Sequence, residues 1–249
     1  MKSDHLKQFY EGDASRFWDP RDGMRGRDLT IYPLLKGCSG SVLEYGAGAG
    51  SLLLSLALER RFTSLTGVDL SESALGRIGN AWREMSKMHG VMADKLTLTT
   101  PVNDTLPMVQ HNTVDLILSL DTIEHVLNPY TVLDEFYRIG SRDSTFVISV
   151  PNYGYVKHVL QLLLGRQPVT GAGRPVKEWR EEGWDGWHLH TFTRQSLDIL
   201  LRDCGWQPVL WTGYGEKGKG LGLDILRQRF PAVWSGALTV VCRRKSWLG

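Results

Sequence analysis

The chain of 249 residues has few cysteines, almost no net charge and no long apolar run. Its cysteines, Cys38, Cys204 and Cys242, are odd in number and far apart, which argues against a disulfide framework or a cysteine-ligated zinc site and favours a reducing compartment. With 29 Lys and Arg against 27 Asp and Glu, the composition lacks the basic excess typical of a nucleic-acid-binding protein. Nucleic acid is therefore not an expected partner.

No apolar stretch approaches the roughly 20 residues of a membrane span. Residues Met1–His5 lack the apolar core of a signal peptide. We therefore expect a cytoplasmic protein without a membrane partner. A hydrophobic content of 42% is ample for one large domain, or for one domain with an inserted cap.

What the sequence does contain is a glycine-rich stretch, Ser41–Leu52. An apolar segment leads through one acid, Glu44, into three alternating glycines and then into a leucine-rich helical pattern. This order predicts a strand, a tight loop and a helix. Glycine lets a ligand approach the backbone closely, and a helix start presents unbonded N–H groups. We therefore expect a nucleotide-like ligand at the end of this strand, as in doubly wound α/β folds.

The spacing of Gly46, Gly48 and Gly50 excludes two common nucleotide sites. The dinucleotide motif G-x-G-x-x-G would require its third glycine at Ser51, and a phosphate loop would require a following Gly-Lys-Ser/Thr. The carboxylate of Glu44 would repel a pyrophosphate, but it suits a ligand with a cationic end, such as an amino group or a sulfonium. The alternative is a plain strand-to-helix turn without a ligand.

A second acid, Asp69, lies 19 residues beyond Gly50, at the end of a short predicted strand. At this position in nucleotide-binding α/β folds a carboxylate accepts hydrogen bonds from ribose hydroxyls. A vicinal diol offers two donors, and one carboxylate can accept both. The combined spacing of Glu44, the glycines and Asp69 is a stronger signal than any of them alone.

The pattern Glu44-x-Gly46-x-Gly48-x-Gly50 resembles the first motif of class I S-adenosylmethionine-dependent methyltransferases. The resemblance spans about residues 40–245 and implies an α/β fold: a Rossmann-like, seven-stranded, mostly parallel sheet with an antiparallel edge hairpin and helices on both faces. It also implies S-adenosyl-L-methionine as cofactor, with Asn103 or Asp104 near its adenine amino group unless both belong to a solvated turn. The implied cofactor-binding residues are Glu44, Tyr45, Gly46, Ala47, Gly48, Gly50, Asp69, Leu70, Asn103, Asp104, Ser119 and Leu120.

Ionisable residues follow the fourth predicted strand, Val114–Leu120, whose apolar composition is typical of a central parallel strand. The carboxyl ends of such strands are where open α/β sheets bind ligands. Imidazole titrates near neutrality, so His125, His188 and His190 are candidates for a catalytic base, with His125 favoured and His190 second. Each has the alternative of a structural histidine bonded to a backbone carbonyl.

We expect no metal at this strand end. The competing hypothesis is a mixed carboxylate and imidazole set able to hold a divalent ion. Its members would be Asp121, Glu124 and His125, joined by His190 or by His188. The two acids are explained equally well as solvated side chains at a helix start, where the helix dipole favours negative charge.

The predicted organisation places an N-terminal helical segment at residues 1–39, covering the cofactor site, before a methyltransferase domain at residues 40–249. Tyr10, Phe17 and Trp18 of the segment either contribute to that cover or pack between helices. An insertion at about residues 153–190, rich in glycine, arginine and tryptophan, interrupts the domain. A long irregular insertion is typical of a substrate lid. Trp and Arg also dominate protein interfaces, so a protein partner is the alternative.

Two families compete for the function. The stretch Leu120–Val126 resembles small-molecule methyltransferases related to the ubiquinone-biosynthesis O-methyltransferases, which implies methyl transfer to a small-molecule oxygen or nitrogen. Residues Val150–Tyr155 and Leu162–Thr170 are similar to the methionine-biosynthesis protein MetW, which implies an accessory partner of a homoserine acyltransferase. Intact Glu44, glycines and Asp69 favour the active enzyme. An RNA methyltransferase is the third alternative, which the near-neutral charge disfavours; the sequence leaves the oligomeric state open.

Overall fold

The computed structural model describes residues 19–170, 184–214 and 221–245, together with Lys7, Glu11, Val176 and Arg180. Residues 1–18 of the predicted cofactor cover, which spans residues 1–39, and the middle of the insertion therefore lie largely outside the described residues. Tyr10, Phe17, Trp18 and Trp179 are among the residues not described.

Seven strands of the described chain form one sheet in the order β3–β2–β1–β4–β5–β7–β6. Strand β1 pairs in parallel with both β2 and β4, and β2 pairs in parallel with β3. Strands β6 and β7 pair antiparallel at the other end. The predicted fold class is confirmed. The strands are β1 Gly40–Tyr45, β2 Phe62–Val68, β3 Leu96–Thr99, β4 Val114–Leu120, β5 Gly140–Pro151, β6 Trp206–Tyr214 and β7 Ala237–Arg244.

The helices begin and end with recognisable sequence signals. Ser71 accepts a hydrogen bond from the Ala74 N–H at the start of the longest helix, and Gly90 ends it in the left-handed conformation. A capping box at Thr193 and Ser196 starts another. The α-helices within the described residues are α1 Arg27–Ile31, α2 Ser51–Ala57, α3 Glu72–His89, α4 Pro129–Ile139, α5 Val156–Leu163, α6 Arg194–Asp203, α7 Leu221–Arg229 and α8 Pro231–Trp234.

The chain divides into two compact units, one comprising residues 1–119 and 138–146 and the other residues 120–137 and 147–249. In the first unit, β1 lies between β2 and β4, with Glu44 opposite Gly67 on one side and Leu118 on the other. The side chains of Leu43, Leu116 and Leu118 are fully buried, as expected for central parallel strands. Glu44 is thus an acid in the middle of an apolar strand pair.

The second unit contains a buried amide that joins three of its segments. The Asn152 side chain is fully buried, and its Nδ2 lies 2.8–3.1 Å from the carbonyl oxygens of Pro231, Ala232 and Ser235. Its Oδ1 accepts a hydrogen bond from the Gly154 N–H at 2.9 Å. One side chain therefore fixes the end of β5, the start of the predicted insertion and α8.

None of the helices within the described ranges is long and apolar enough to cross a membrane.

Asn152→Ala should lower the free energy of unfolding by about 3 kcal/mol, because it leaves buried carbonyl and N–H groups without their partner. Urea unfolding followed by circular dichroism measures this. The exposed Asn80 on α3 provides the matched control, and Asn80→Ala should change stability by less than about 0.5 kcal/mol. Equal stabilities for the two variants would contradict the structural role of Asn152.

Candidate cofactor and acceptor sites

The glycine-rich loop is a tight turn between β1 and α2. Gly46, Gly48 and Gly50 have φ angles of 78°, 51° and 74°, a region that side chains disfavour. The N–H groups of Gly46 and Ala47 donate to the Val68 carbonyl at 2.8 and 3.0 Å. A Cβ at Gly50 would lie 2.6 Å from Cγ1 of Ile78, so this position excludes any side chain. The positive φ angles account for the three glycines, and at Gly50 the close packing of Ile78 is a second reason.

The carboxylate of Asp69 joins the end of β2 to this loop. Its Oδ2 accepts a hydrogen bond from the Gly48 N–H at 2.8 Å, and its Oδ1 accepts one from the Ser71 N–H at 2.9 Å. Burial raises its pKa, and these hydrogen bonds oppose the increase. Each carboxylate oxygen can accept a second hydrogen bond. Asp69 can therefore hold the loop and accept from a diol at the same time.

Glu44 is a buried acid of the first unit whose pKa is strongly raised. Its side chain is 2% exposed, and its Oε2 receives no hydrogen bond from any described residue. Burial, followed by the neighbouring charge of Asp28, raises its pKa to about 8. A buried carboxylate oxygen without a hydrogen bond is unfavourable when the group is ionised, unless a cation accompanies it. The orphaned oxygen thus fits a ligand with a cationic end, and S-adenosylmethionine carries both an ammonium and a sulfonium.

A further acid near Glu44 was not anticipated from the sequence. Asp28 on α1 is 3% exposed and accepts a hydrogen bond from the Ser51 hydroxyl at 2.8 Å. Nε of Arg27 lies 3.6 Å from its Oδ1, and the Arg27 charge lowers the pKa of Glu44. An Arg-Asp pair beside a short helical pattern is more often a surface feature, so the sequence carried no signal for this burial.

Asn103 and Asp104 lie in a turn closed by backbone hydrogen bonds between Val102 and Thr105. Both have left-handed backbone conformations, with φ of 49° and 62°. Asn103 is exposed, whereas Asp104 is half-buried with Oδ1 3.5 Å from the Tyr45 hydroxyl, and burial raises its pKa. Of the two adenine-contact candidates, Asp104 is the one that faces another predicted cofactor residue.

The last predicted cofactor residues lie at strand ends. Ser119 and Leu120 at the end of β4 are buried, and Ser119 is opposite Tyr45 in the register of β1 and β4. Leu70 follows β2 and is half-buried.

The second unit begins with the polar segment that follows β4. Asp121 has a left-handed backbone with φ of 51°. Its Oδ1 accepts from the Ser149 hydroxyl at 2.8 Å, and its Oδ2 accepts from the Tyr214 hydroxyl at 2.5 Å. The side chain of Asp121 is therefore engaged with β5 and β6, so the structure does not group it with Glu124 and His125 as possible metal ligands.

Glu124, His125 and His188 come together in this unit, and we call them the Glu-His-His cluster. One ligand atom of each lies within 4.8 Å of the others, and Nε2 of each histidine is 4.0 Å from Oε1 of Glu124. The imidazole rings are 4.7 Å apart in an edge arrangement. Burial, and then the nearby His188, lowers the pKa of His125 to about 4; burial also lowers the pKa of His188. Both rings are neutral at pH 7.

His190 is not part of this cluster. Its Nε2 lies 2.9 Å from the Val126 carbonyl oxygen. The N–H groups of Leu189 and His190 donate to the Glu124 carbonyl at 2.8 and 3.1 Å, so the segment is fixed along residues 124–126. His190 thus makes the backbone contact of a structural histidine. Of the two histidines considered for the metal set, His188 is the one beside Glu124 and His125.

A turn with unusual backbone geometry precedes the cluster. Asp185, Gly186 and Trp187 adopt successive left-handed conformations with φ of 47°, 68° and 64°. Such conformations are unfavourable by roughly 1–2 kcal/mol for a residue other than glycine, and they concentrate at functional sites. The turn directs the Trp187 carbonyl to Nδ1 of His125 at 3.1 Å.

Comparison with known proteins identifies the family. The family model described as a methyltransferase domain matches residues 13–210. The chain is 22% identical over 240 residues to the ubiquinone biosynthesis O-methyltransferase of Alkalilimnicola ehrlichii, covering 91% of this chain and 85% of that protein.

Solved structures share the fold. A protein described as a methyltransferase, in complex with the Trm112 methyltransferase activator of Haloferax volcanii, has a TM-score of 0.61 at 16% identity, covering 98% of this chain and 95% of that one. The S-adenosylmethionine-dependent methyltransferase of Mesorhizobium loti has a TM-score of 0.60 at 16% identity, covering 87% and 96%. The comparisons do not favour the MetW-like or the RNA alternative. The chain belongs to the methyltransferase domain family, and it is an enzyme that uses S-adenosylmethionine.

Proposed function

We propose that the enzyme methylates a small molecule at an oxygen or a nitrogen atom, and that the Glu-His-His cluster serves the acceptor. The observation that carries this proposal is the meeting of two imidazoles at a buried carboxylate, with Nε2 of His125 and Nε2 of His188 each 4.0 Å from Oε1 of Glu124. They follow a strand end of the kind where α/β enzymes bind their substrates. The relative from Alkalilimnicola ehrlichii, named as an O-methyltransferase, supports an oxygen acceptor.

In this proposal, different residues of the first unit bind different parts of the cofactor. Glu44 pairs with the ammonium group, the glycine loop accommodates the methionine portion, and Asp69 accepts from the ribose hydroxyls. Asp104, with Asn103 as the alternative, meets the adenine amino group. The buried Glu44 oxygen that lacks a hydrogen bond supports the first of these roles. The Asp69 carboxylate is held by the N–H groups of Gly48 and Ser71 and can still accept further hydrogen bonds, which supports its role at the ribose.

S-adenosylmethionine supplies an activated methyl group with a neutral leaving group. The protein then has two tasks: to hold the acceptor in line, and to remove a proton from a hydroxyl or ammonium acceptor. Nδ1 of His125 faces a carbonyl oxygen, which accepts only, so the proton of the neutral ring resides on Nδ1. Nε2 of His125 is then the atom that takes the acceptor proton, and the buried carboxylate of Glu124 stabilises the imidazolium that forms.

The segments around the two sites have further proposed roles. Residues 1–39 cover the cofactor, and the insertion at about residues 153–190 selects the acceptor or binds a protein partner. The insertion role is supported by the hydrogen bonds of Leu189 and His190 to Glu124, which attach its end to the cluster.

Glu44→Gln tests the cofactor assignment. The variant should lower the affinity for S-adenosylhomocysteine, which retains the ammonium, by about 100-fold, because a neutral amide cannot replace a buried carboxylate opposite a cation. Isothermal titration calorimetry measures this. Glu84→Gln removes an exposed carboxyl on α3 and provides the control, which should bind as the wild type does. Unchanged affinity of Glu44→Gln would contradict the assignment.

Glu44→Gln should also change how the stability of the ligand-free protein depends on pH. The folded-state pKa of Glu44 is raised from 4.5 to about 8, so the folded protein holds this proton more tightly than the unfolded chain. This group alone then lowers the free energy of unfolding as pH rises from about 4.5 to about 8, by up to about 1.4 kcal/mol per pH unit. Glu44→Gln should gain stability over the wild type across that range in thermal melts. A constant difference would show that Glu44 ionises normally.

His125→Ala tests the acceptor side. With an acceptor found by screening compounds against methyl-labelled cofactor, kcat should fall by about 100-fold or more, while cofactor affinity is retained. The wild-type kcat should not show a histidine titration between pH 5.5 and 8, since the pKa of His125 is about 4. The exposed His89 gives the control His89→Ala, with unchanged kcat. If His125→Ala had the same kcat as the wild type, His125 could not be the catalytic base.

A further inference from the structure

The first turn of α5 carries a buried imidazole with one unused nitrogen. His158 is 8% exposed, and its Nδ1 lies 3.0 Å from the Asn152 carbonyl oxygen. A carbonyl oxygen only accepts, so Nδ1 of the neutral ring carries the proton and Nε2 carries a lone pair. Burial lowers the pKa of His158, and the bond to Asn152 opposes this, so the ring is neutral at pH 7. No other described residue forms a hydrogen bond with His158, which leaves Nε2 as an acceptor without a donor.

A second acceptor lies one turn further along the same helix. Gln161 follows His158 by three residues, so the two side chains share one face of α5, which we call its inner face. The Oε1 atom of Gln161 is buried and accepts no hydrogen bond from any described residue. Buried acceptors without donors are unfavourable, and native proteins rarely retain them without a reason. The inner face thus presents a nitrogen and an oxygen that both need a donor.

An aromatic hydroxyl beside this face can supply a proton. The imidazole of His158 lies against the rings of Tyr153 and Tyr155, with ring centroids 6.3 and 5.4 Å away. The Tyr153 hydroxyl oxygen accepts a hydrogen bond from Nε2 of Gln167 at 3.2 Å, and no described residue accepts its proton. Tyr153 is therefore a donor beside two acceptors.

The inner face lies in the negative field of a buried carboxylate. Asp185 is fixed by the N–H and the hydroxyl of Thr170, at 2.9 and 2.6 Å from its two oxygens. Burial lowers the pKa of both His158 and His188, and the charge of Asp185 opposes this in each ring. One carboxylate thus acts on α5 and on the Glu-His-His cluster. A second anion would be repelled here.

We propose that Tyr153, His158 and Gln161 bind a neutral hydroxyl group of the methyl acceptor. A hydroxyl accepts the Tyr153 proton and donates its own proton to the inner face of α5. An ammonium cannot accept from Tyr153, and a carboxylate or phosphate cannot donate and is repelled by Asp185. The inference rests on the proposed role of the insertion in selecting the acceptor, and it names the chemical group that the insertion selects.

The test uses phenol as a probe of the hydroxyl and anisole as the same ring without a hydroxyl proton. Full-length protein labelled with ¹⁵N-histidine is titrated with each compound, and with benzoate, in the absence of cofactor. Phenol should shift the Nε2 resonance of His158, which is assigned by its loss in His158→Asn, and leave Nδ1 protonated. Anisole and benzoate should bind at least about 10-fold more weakly, since each lacks a proton to donate.

Two variants separate recognition from structure. His158→Asn keeps an N–H group that can meet the Asn152 carbonyl but has no atom at the place of Nε2. Gln161→Leu removes the other acceptor. Each should weaken phenol binding by about 3- to 10-fold, and His158→Gln, whose longer amide reaches the place of Nε2, should recover part of the affinity. Gln195→Leu on α6 changes an exposed glutamine and should bind as the wild type does.

Thermal melts show whether the variants are folded. Gln161→Leu should melt no lower than the wild type, because it replaces an acceptor that has no donor by an apolar group. Equal affinities for phenol and anisole, an unshifted Nε2 resonance, or wild-type affinity in both His158→Asn and Gln161→Leu would overturn the proposal. Because neither cofactor nor methyl transfer enters these titrations, their failure is distinct from a failure of the proposed reaction.

Discussion

The burial of the Glu44 carboxyl group is the constraint on which the cofactor site depends. The acid lies within β1, between Gly67 of β2 and Leu118 of β4, and the strand cannot turn it outward without breaking the register of the sheet. The cost of desolvation appears in a pKa near 8 and in an oxygen without a hydrogen bond. A protein retains such a group where a ligand supplies the compensating charge.

The glycine loop and Asp69 follow from the same constraint. In the proposed cofactor assignment, a cationic ligand beside Glu44 approaches the backbone where β1 ends, at the loop whose three glycines have positive φ. Asp69 fixes the loop through Gly48 and starts α3 through Ser71, so one carboxylate ties the ligand site to the next helix. In the second unit Glu124 is also a buried acid, and its neighbours are the imidazoles of His125 and His188.

The sequence predicts the fold well because local patterns determine it. The apolar runs of β1, β2 and β4, the cap at Ser71 and the alternating glycines each depend on a few neighbouring residues. The direction of the side chains in the polar segment after β4, by contrast, does not follow from local patterns. Whether His188 or His190 faces Glu124 depends on three left-handed residues at 185–187, and only one of these is glycine. Asp121 is turned away by partners on β5 and β6, and Asp28 is buried by contacts distant in sequence.

The most direct test of the account is the number of protons exchanged when the wild-type protein binds S-adenosylmethionine at pH 7. Calorimetry in buffers of different ionisation enthalpy gives this number. Since Glu44 is protonated in the free protein and ionised opposite a cation, the account predicts release of close to one proton per cofactor bound. Binding without proton release would mean that Glu44 is already ionised or does not meet the cationic end, and it would contradict the central claim.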